Sequence, residues 1–204
     1  MLHGTIDWER VRRATPEDPL RVLTSACLVG KPTGWEGTDY ADDLVLRLVR
    51  LPNVRAVSFC PEHVGLGTPR PLTTLHDGDG FAVLDGKARV MDTTERDCTD
   101  ALVQGARAMC DLAARERVEL CVTLEVSDSC GTTFVYLGRP EEKRYQRGAG
   151  VSAAMLAREG FTVIAERDRR TLGKVIAMLD PSYVVPEDAI DVREIPWYGE
   201  YFGR

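Results

Sequence analysis

Three features of this 204-residue chain predict an α/β fold with a mainly parallel sheet. Four short apolar runs, at 22–26, 54–59, 119–124 and 161–165, have the length and composition of strands. Segments with helical spacing separate them, so strand and helix alternate, as in a parallel sheet with helices on both faces. The run from Glu119 to Leu124 is dense in apolar residues, as expected of a strand covered on both sides. The expectation is one Rossmann-like domain of three α/β/α layers. Ligands in such folds bind outside the carboxyl ends of the strands.

Residues 1–20 are polar and contain two prolines. They read as an N-terminal extension, an arm or short helix leading into a domain at 21–179. The run from Val22 to Ala26 makes the first strand and delivers Cys27, and the loop KPTGWEG follows. Asp39 to Arg50 carries Leu44, Val45, Leu48 and Val49 at helical spacing, and Pro52 stops it. Val54 to Phe59 is the second strand, ended by Cys60–Pro61. Residues 61–79 read as a loop, and a loop this long in a compact domain is usually functional or disordered. Phe81–Leu84 and Lys87–Met91 flank Asp85–Gly86, the signal of a two-residue hairpin.

Thr94 to about Arg117 is the longest helical pattern, with Leu102, Ala106, Met109 and Ala113 as its apolar stripe. Thr94 and Asp97 resemble a capping box at its start. Glu119–Leu124 is the third strand and Ser127–Gly131 a turn. Gly148–Arg158 is a helix, Phe161–Ala165 the fourth strand and Thr171–Leu179 the last helix. The C-terminal tail, 180–204, holds Trp197, Tyr198, Tyr201 and Phe202 among charges. It is set to pack on the body or on a second copy of the chain, which leaves a homodimer open.

A net charge of −6, with no Lys/Arg stripe, argues against binding a nucleic-acid duplex. The cluster Arg167, Asp168, Arg169, Arg170 and Lys174 reads as a solvated helix face. No apolar run approaches membrane-spanning length, and the N-terminus lacks the apolar region of a secretory signal. The expectation is therefore a cytoplasmic protein with no membrane partner. Its six cysteines are expected to be thiols, core residues or metal ligands rather than disulfides.

Cys98 and Cys110 lie in the long helical pattern and Cys121 lies inside a strand, so these three read as packing. Cys27, Cys60 and Cys130 each follow an apolar run and adjoin a residue that breaks regular structure. Three strand-end thiols could bring three soft ligands to one sheet edge. Three ligands rather than four would leave a metal an open position, as catalytic sites do. Their intervals of 33 and 70 residues match no compact zinc or ferredoxin pattern, so spacing alone leaves a shared site undecided.

Four blocks in order, SACLVG, FCPE followed by GLGTPRP, SDSCG, and GAGVSAAMLAREGFTVIAE, resemble the 2-thiouracil desulfurase family over about residues 21–166. The resemblance implies an α/β fold whose three cysteines hold a [4Fe-4S] cluster with one iron not bound by protein. Carried over, the ligands are Cys27, Cys60 and Cys130, and Glu62 and Ser127 take the catalytic positions. The implied reaction is non-redox: a thiolated nucleobase such as 2-thiouracil plus water gives uracil and hydrogen sulfide. Thiocarbonyl sulfur is soft, as is thiolate-held iron, so residue types and chemistry agree. The family pattern is not met everywhere. Asp128 stands where proline is usual and Leu124 where lysine is, and Gly34, Trp35, Glu36 and Gly37 replace Arg-Tyr-Asp-Gly. None of these touches a ligand, but they bear on the identity of the substrate.

Other residues carry lesser signals. Arg70, between two prolines, could take a substrate oxygen or bridge to Glu62 or Asp77. Gly148–Ala–Gly150 opens a helix, but a lone G-x-G without a preceding strand does not define a dinucleotide site. His63 and His76 share the long loop, where either could complete a zinc site, and His3 belongs to the tail. Two readings compete with the enzyme. One is a structural or regulatory zinc module on Cys27, Cys60, Cys130 and His63. The other is an iron–sulfur redox sensor without turnover. Zinc modules usually pair ligands two to four residues apart, which these cysteines are not. A sensor has no need of a carboxylate beside a ligand, which Glu62 provides.

Overall fold

The computed structural model describes residues 4–138 and 142–203, so His3 lies outside it. In chain order the elements begin with α1 (Trp8–Arg13), β1 (Leu20–Ser25), α2 (Asp43–Val49), β2 (Val54–Phe59) and α3 (Pro61–Leu66). There follow β3 (Thr73–His76), α4 (Gly80–Leu84), β4 (Arg89–Asp92), α5 (Thr99–Arg115) and β5 (Leu120–Thr123). The remainder is β6 (Phe134–Tyr136), β7 (Tyr145–Arg147), α6 (Val151–Arg158), β8 (Val163–Ala165), α7 (Arg169–Leu179) and α8 (Pro196–Phe202).

The central sheet is parallel throughout, in the order β2-β1-β5-β8. Alternation along its strands builds two cores. Leu20, Val22, Leu120, Val122 and Ile164 face α1, α2 and α7, where they meet Val11, Val45, Leu48, Leu172 and Ile176. Leu23, Cys121 and Val163 point the other way, onto Met109, Cys110 and Ala113 of α5 and Leu156 of α6. The fold is therefore the three-layer α/β/α arrangement the sequence predicts. Chain direction across the sheet reverses between β1 and β5, and the crevice at such a switch point is where open α/β sheets place ligands.

Several local readings change. Residues 61–79 are not one loop, because they contain α3 and β3. No hairpin turns at Asp85–Gly86. Asp79 caps α4 through Ala82 N, and Asp85–Gly86 ends that helix with Gly86 at φ +70°. β4 pairs instead with β3, antiparallel. The long helix begins at Thr99 rather than Thr94. Thr94 is held in a preceding turn by Asp92, which accepts from both its N–H (2.8 Å) and its hydroxyl (2.6 Å). The tail packs on the body of its own chain, where Trp197, Tyr198 and Phe202 surround Phe134.

Contact between α3 and α5 needs two glycines. A Cβ on Gly105 would run into the Pro61 carbonyl, and one on Gly65 into the Ala101 carbonyl. This approach fixes the segment that carries Cys60 and Glu62.

Candidate active site

Cys27, Cys60 and Cys130 follow β1, β2 and β5, three adjacent strands of the sheet. Cys27 lies in the 3-10 turn Ala26–Val29. Cys60 precedes Pro61 at the start of α3. Its sulfur accepts from His63 N (3.4 Å), and its thiol points at the Thr33 carbonyl (3.6 Å). Cys130 sits in the turn after β5, its N–H donating to Ser127 Oγ at 3.0 Å. All three line one cavity of about 610 Å³ together with Glu62 and Ser127.

The thiols sense one another. Burial pushes Cys27 up to about 12, and the facing Cys60 and Glu62 add to it. Burial also raises Cys60, with Glu62 reinforcing the shift. Cys130 is raised most plainly by burial, then by Glu62 and Cys60. Three buried thiols held this high become thiolates together far more readily with a cationic centre among them. That is the donor chemistry an iron–sulfur cluster requires. A single ion fits less well. A zinc ion needs every ligand within about 2.3 Å, and among the described residues no three His, Cys, Asp or Glu side chains are placed to hold one ion.

Glu62 is a clamped carboxylate at the cavity. Its Oε2 accepts from Arg70 Nη2 (2.6 Å) and Nε (3.1 Å), and its Oε1 from Ser127 Oγ (3.2 Å). Arg70 is buried, and its Nη1 reaches the Thr33 and Gly67 carbonyls and Thr68 Oγ1. Of the roles open to Arg70 in the sequence, the bridge to Glu62 is the one found. Ser127 serves two ends. Its hydroxyl donates to Glu62 while accepting from Ser129 N (3.2 Å) and Cys130 N (3.0 Å), so one side chain organises the cysteine turn and touches the carboxylate.

Some pocket residues carried no functional reading from the sequence. Glu125 is 2% exposed and anchors the segment after the Cys130 turn by accepting from Thr132 N, Thr132 Oγ1, Thr133 N and Phe134 N. Its own N–H donates to Glu166 Oε2 (2.7 Å), and burial raises Glu166 to about 7. The only sequence signal was a lone charge in the apolar stretch VTLEV. Asp42 caps α2 and also takes a fork of hydrogen bonds from Arg169 (2.9 and 2.5 Å), so Arg169 is not merely part of a solvated face. Trp35, Tyr40 and Tyr136 supply aromatic surface to the cavity, and Leu124 also lines it. Asp128 is buried there, its carboxyl pushed well above the usual range by burial and by Glu62.

The remaining candidates lie elsewhere or are engaged. His63 Nδ1 is bonded to Thr68 Oγ1 (2.8 Å) and His76 Nε2 to Thr74 Oγ1 (3.0 Å), local partners rather than cavity ones. Gly150 packs its backbone against Ser129 where no Cβ fits, and this brings α6 up to the cysteine turn. Cys98, Cys110 and Cys121 are buried in the hydrophobic clusters.

A doubly wound sheet with three thiols and a clamped carboxylate at its switch point defines an α/β protein with a thiol-lined pocket. The family model for 2-thiouracil desulfurase matches residues 22–168. The chain belongs to that family and is an enzyme. YbbK, an uncharacterized protein of Bacillus subtilis (strain 168), is 32% identical over 148 residues, 72% of this chain and 96% of YbbK. The solved structure of a [4Fe-4S]-dependent thiouracil desulfidase, TudS, matches with a TM-score of 0.65 at 28% identity. The match covers 78% of this chain and 99% of that one.

Proposed function

We propose that this enzyme hydrolyses the C=S bond of a thiolated nucleobase such as 2-thiouracil, or of a related small thio-heterocycle, releasing hydrosulfide and leaving C=O. The reaction is non-redox: water supplies the oxygen, one of its protons leaves on the hydrosulfide and the other passes to solvent. One observation carries the reading: residues as far apart as Cys27, Cys60 and Cys130 share one pocket with the clamped carboxylate of Glu62. The solved relative's dependence on a [4Fe-4S] cluster supports the same assignment. Cys27, Cys60 and Cys130 would hold such a cluster, which when bound supplies a soft Lewis acid for thiocarbonyl sulfur.

The chain's own groups do the rest. Glu62, oriented by Arg70, takes a proton from the attacking water. The Ser127 hydroxyl, 3.2 Å from Glu62 Oε1, holds the ring or the departing sulfur and relays a proton between it and Glu62. Trp35, Tyr40 and Tyr136 offer flat faces to a heteroaromatic ring. The substrate is a small molecule rather than a duplex, consistent with the acidic balance of the chain. Six unpaired thiols suit a reducing cytoplasm.

Anaerobic purification tests the cofactor. Brown protein with about four irons and four sulfides per chain is expected. Serine at Cys27, Cys60 or Cys130 should abolish both, and serine at Cys110 or Cys121 should not. Colourless protein holding stoichiometric zinc would overturn the reading. With loaded enzyme, 2-thiouracil should release hydrosulfide. Failure with every thiolated base tried would favour a redox sensor, and full turnover by Glu62→Gln would remove Glu62 from the mechanism.

A further inference from the structure

Among the described residues, two cavity-lining side chains have a buried polar atom with no hydrogen-bond partner: Thr33 Oγ1 and Asp128 Oδ1. Asp128 stands out by contrast with its neighbours. Glu62 accepts three hydrogen bonds, Glu125 four, and Asp42 caps α2 and takes a fork from Arg169. Asp128 is 5% exposed, and no hydrogen bond among the described residues reaches its carboxyl. Its backbone is nonetheless fixed, since its carbonyl accepts from Val151 N (2.9 Å) at the start of α6. A buried acceptor left open, in a pocket where Glu62, Glu125, Asp42 and Glu166 each accept at least one hydrogen bond, calls for a partner from outside the chain.

We infer that Asp128 determines specificity by accepting a hydrogen bond from a ring N–H next to the thiocarbonyl. A carboxyl oxygen can take an N–H in either of its protonation states. Asp128 directly follows Ser127, lies two residues before Cys130 and lines the same cavity, so an N–H held there would set the adjoining C=S beside the cysteine turn. The preferred substrates are therefore heterocycles with a free N–H beside C=S, and fully N-alkylated rings are rejected. The inference rests on the proposed function and names its substrate class.

Binding of the sulfur-free ligands uracil and 1,3-dimethyluracil, measured by titration calorimetry on the anaerobic holoenzyme, tests it apart from turnover. The wild-type enzyme should prefer uracil by roughly 10- to 100-fold, the weight of one buried polar hydrogen bond. Asp128→Leu keeps the bulk and removes the acceptor, and should bind both ligands alike. Asp128→Asn keeps an acceptor and should retain most of the preference. The cluster's absorption spectrum shows that each variant has folded around the site. Equal binding by the wild-type enzyme, or an undiminished preference in Asp128→Leu, overturns the inference. If 2-thiouracil is still desulfurated in that case, the proposed function stands. No binding and no turnover of any pyrimidine would overturn both.

Discussion

Glu125→Ala should be the most destabilising single change near the pocket. The carboxylate is 2% exposed and accepts from Thr133 N (3.0 Å) and Phe134 N (3.1 Å) on one oxygen, and from Thr132 Oγ1 (2.6 Å) and Thr132 N (3.3 Å) on the other. Removing it strands three backbone N–H groups in a buried segment. The Thr132 hydroxyl can turn to Thr133 Oγ1, already 3.2 Å away. Each stranded group costs about 1–3 kcal/mol. Allowing for some relaxation and water entry, the total comes to roughly 3–5 kcal/mol, the usual cost of breaking a buried charged network. Glu125→Gln keeps one acceptor but turns an NH₂ toward donors, and should lose about 2 kcal/mol. Urea unfolding at constant m-value measures this, and the alanine variant should melt roughly 10 °C lower. A shift below about 1 kcal/mol for Glu125→Ala would refute the anchor. So would equal shifts for the alanine and glutamine variants.

Two further outcomes follow from packing and titration. Glu166 is raised by burial to about 7 in the folded protein against an ordinary 4.5, so the folded state binds its proton more tightly. Its contribution to stability is complete below about pH 4.5 and is lost as pH rises to about 7, some 3 kcal/mol in all. Unfolding measured across pH should therefore show Glu166→Gln gaining on the wild-type protein between those limits, and a constant difference would contradict the assignment. Gly105→Ala forces a methyl into the Pro61 carbonyl and should cost about 1–3 kcal/mol. Because α3 carries Glu62, it should also lower kcat with iron content unchanged, and an unchanged kcat would show that this contact does not position the site.

The sheet was legible because β1, β5 and β8 are buried along almost their whole length and read as apolar runs, and the half-exposed edge strand β2 still keeps four apolar residues in six. The strand expected at 54–59 is β2 residue for residue, and the run at 119–124 contains β5. The signals that misled were local ones with two physical meanings. Asp85–Gly86 suits a hairpin turn, but Gly86 with φ +70° equally ends a helix, and the contiguous apolar run Phe81–Leu84 never had the alternation of a half-buried strand. Pro61 directly after Cys60 is a helix-start signal, hidden because α3 has only six residues and contains a glycine. β6 and β7 are three residues each, too short for any period to show. In the site, thiols at strand ends could be read one by one. Glu125 and the Asp42–Arg169 fork could not, because their partners are distant or are backbone groups with no residue type to betray them.

The spacing that looked uninformative in the sequence now has a structural meaning. Intervals of 33 and 70 residues cannot nucleate a metal site locally, as closely paired ligands do in small zinc modules. Each thiol here depends on a separate strand, and the strands meet only once the sheet has formed in the order β2-β1-β5. A group held by the three cysteines, as proposed, would therefore draw on a formed sheet and add its binding free energy to the folded state. Such a preformed site needs its loops held rigid without the cofactor's help. The Gly105–Pro61 contact holds the Cys60 loop, the Glu125 anchor and Ser127 hold the Cys130 turn, and the turn after β1 holds Cys27. With three supports made by the chain itself, the three cysteine-bearing turns are held by contacts that any group bound in the pocket does not have to supply.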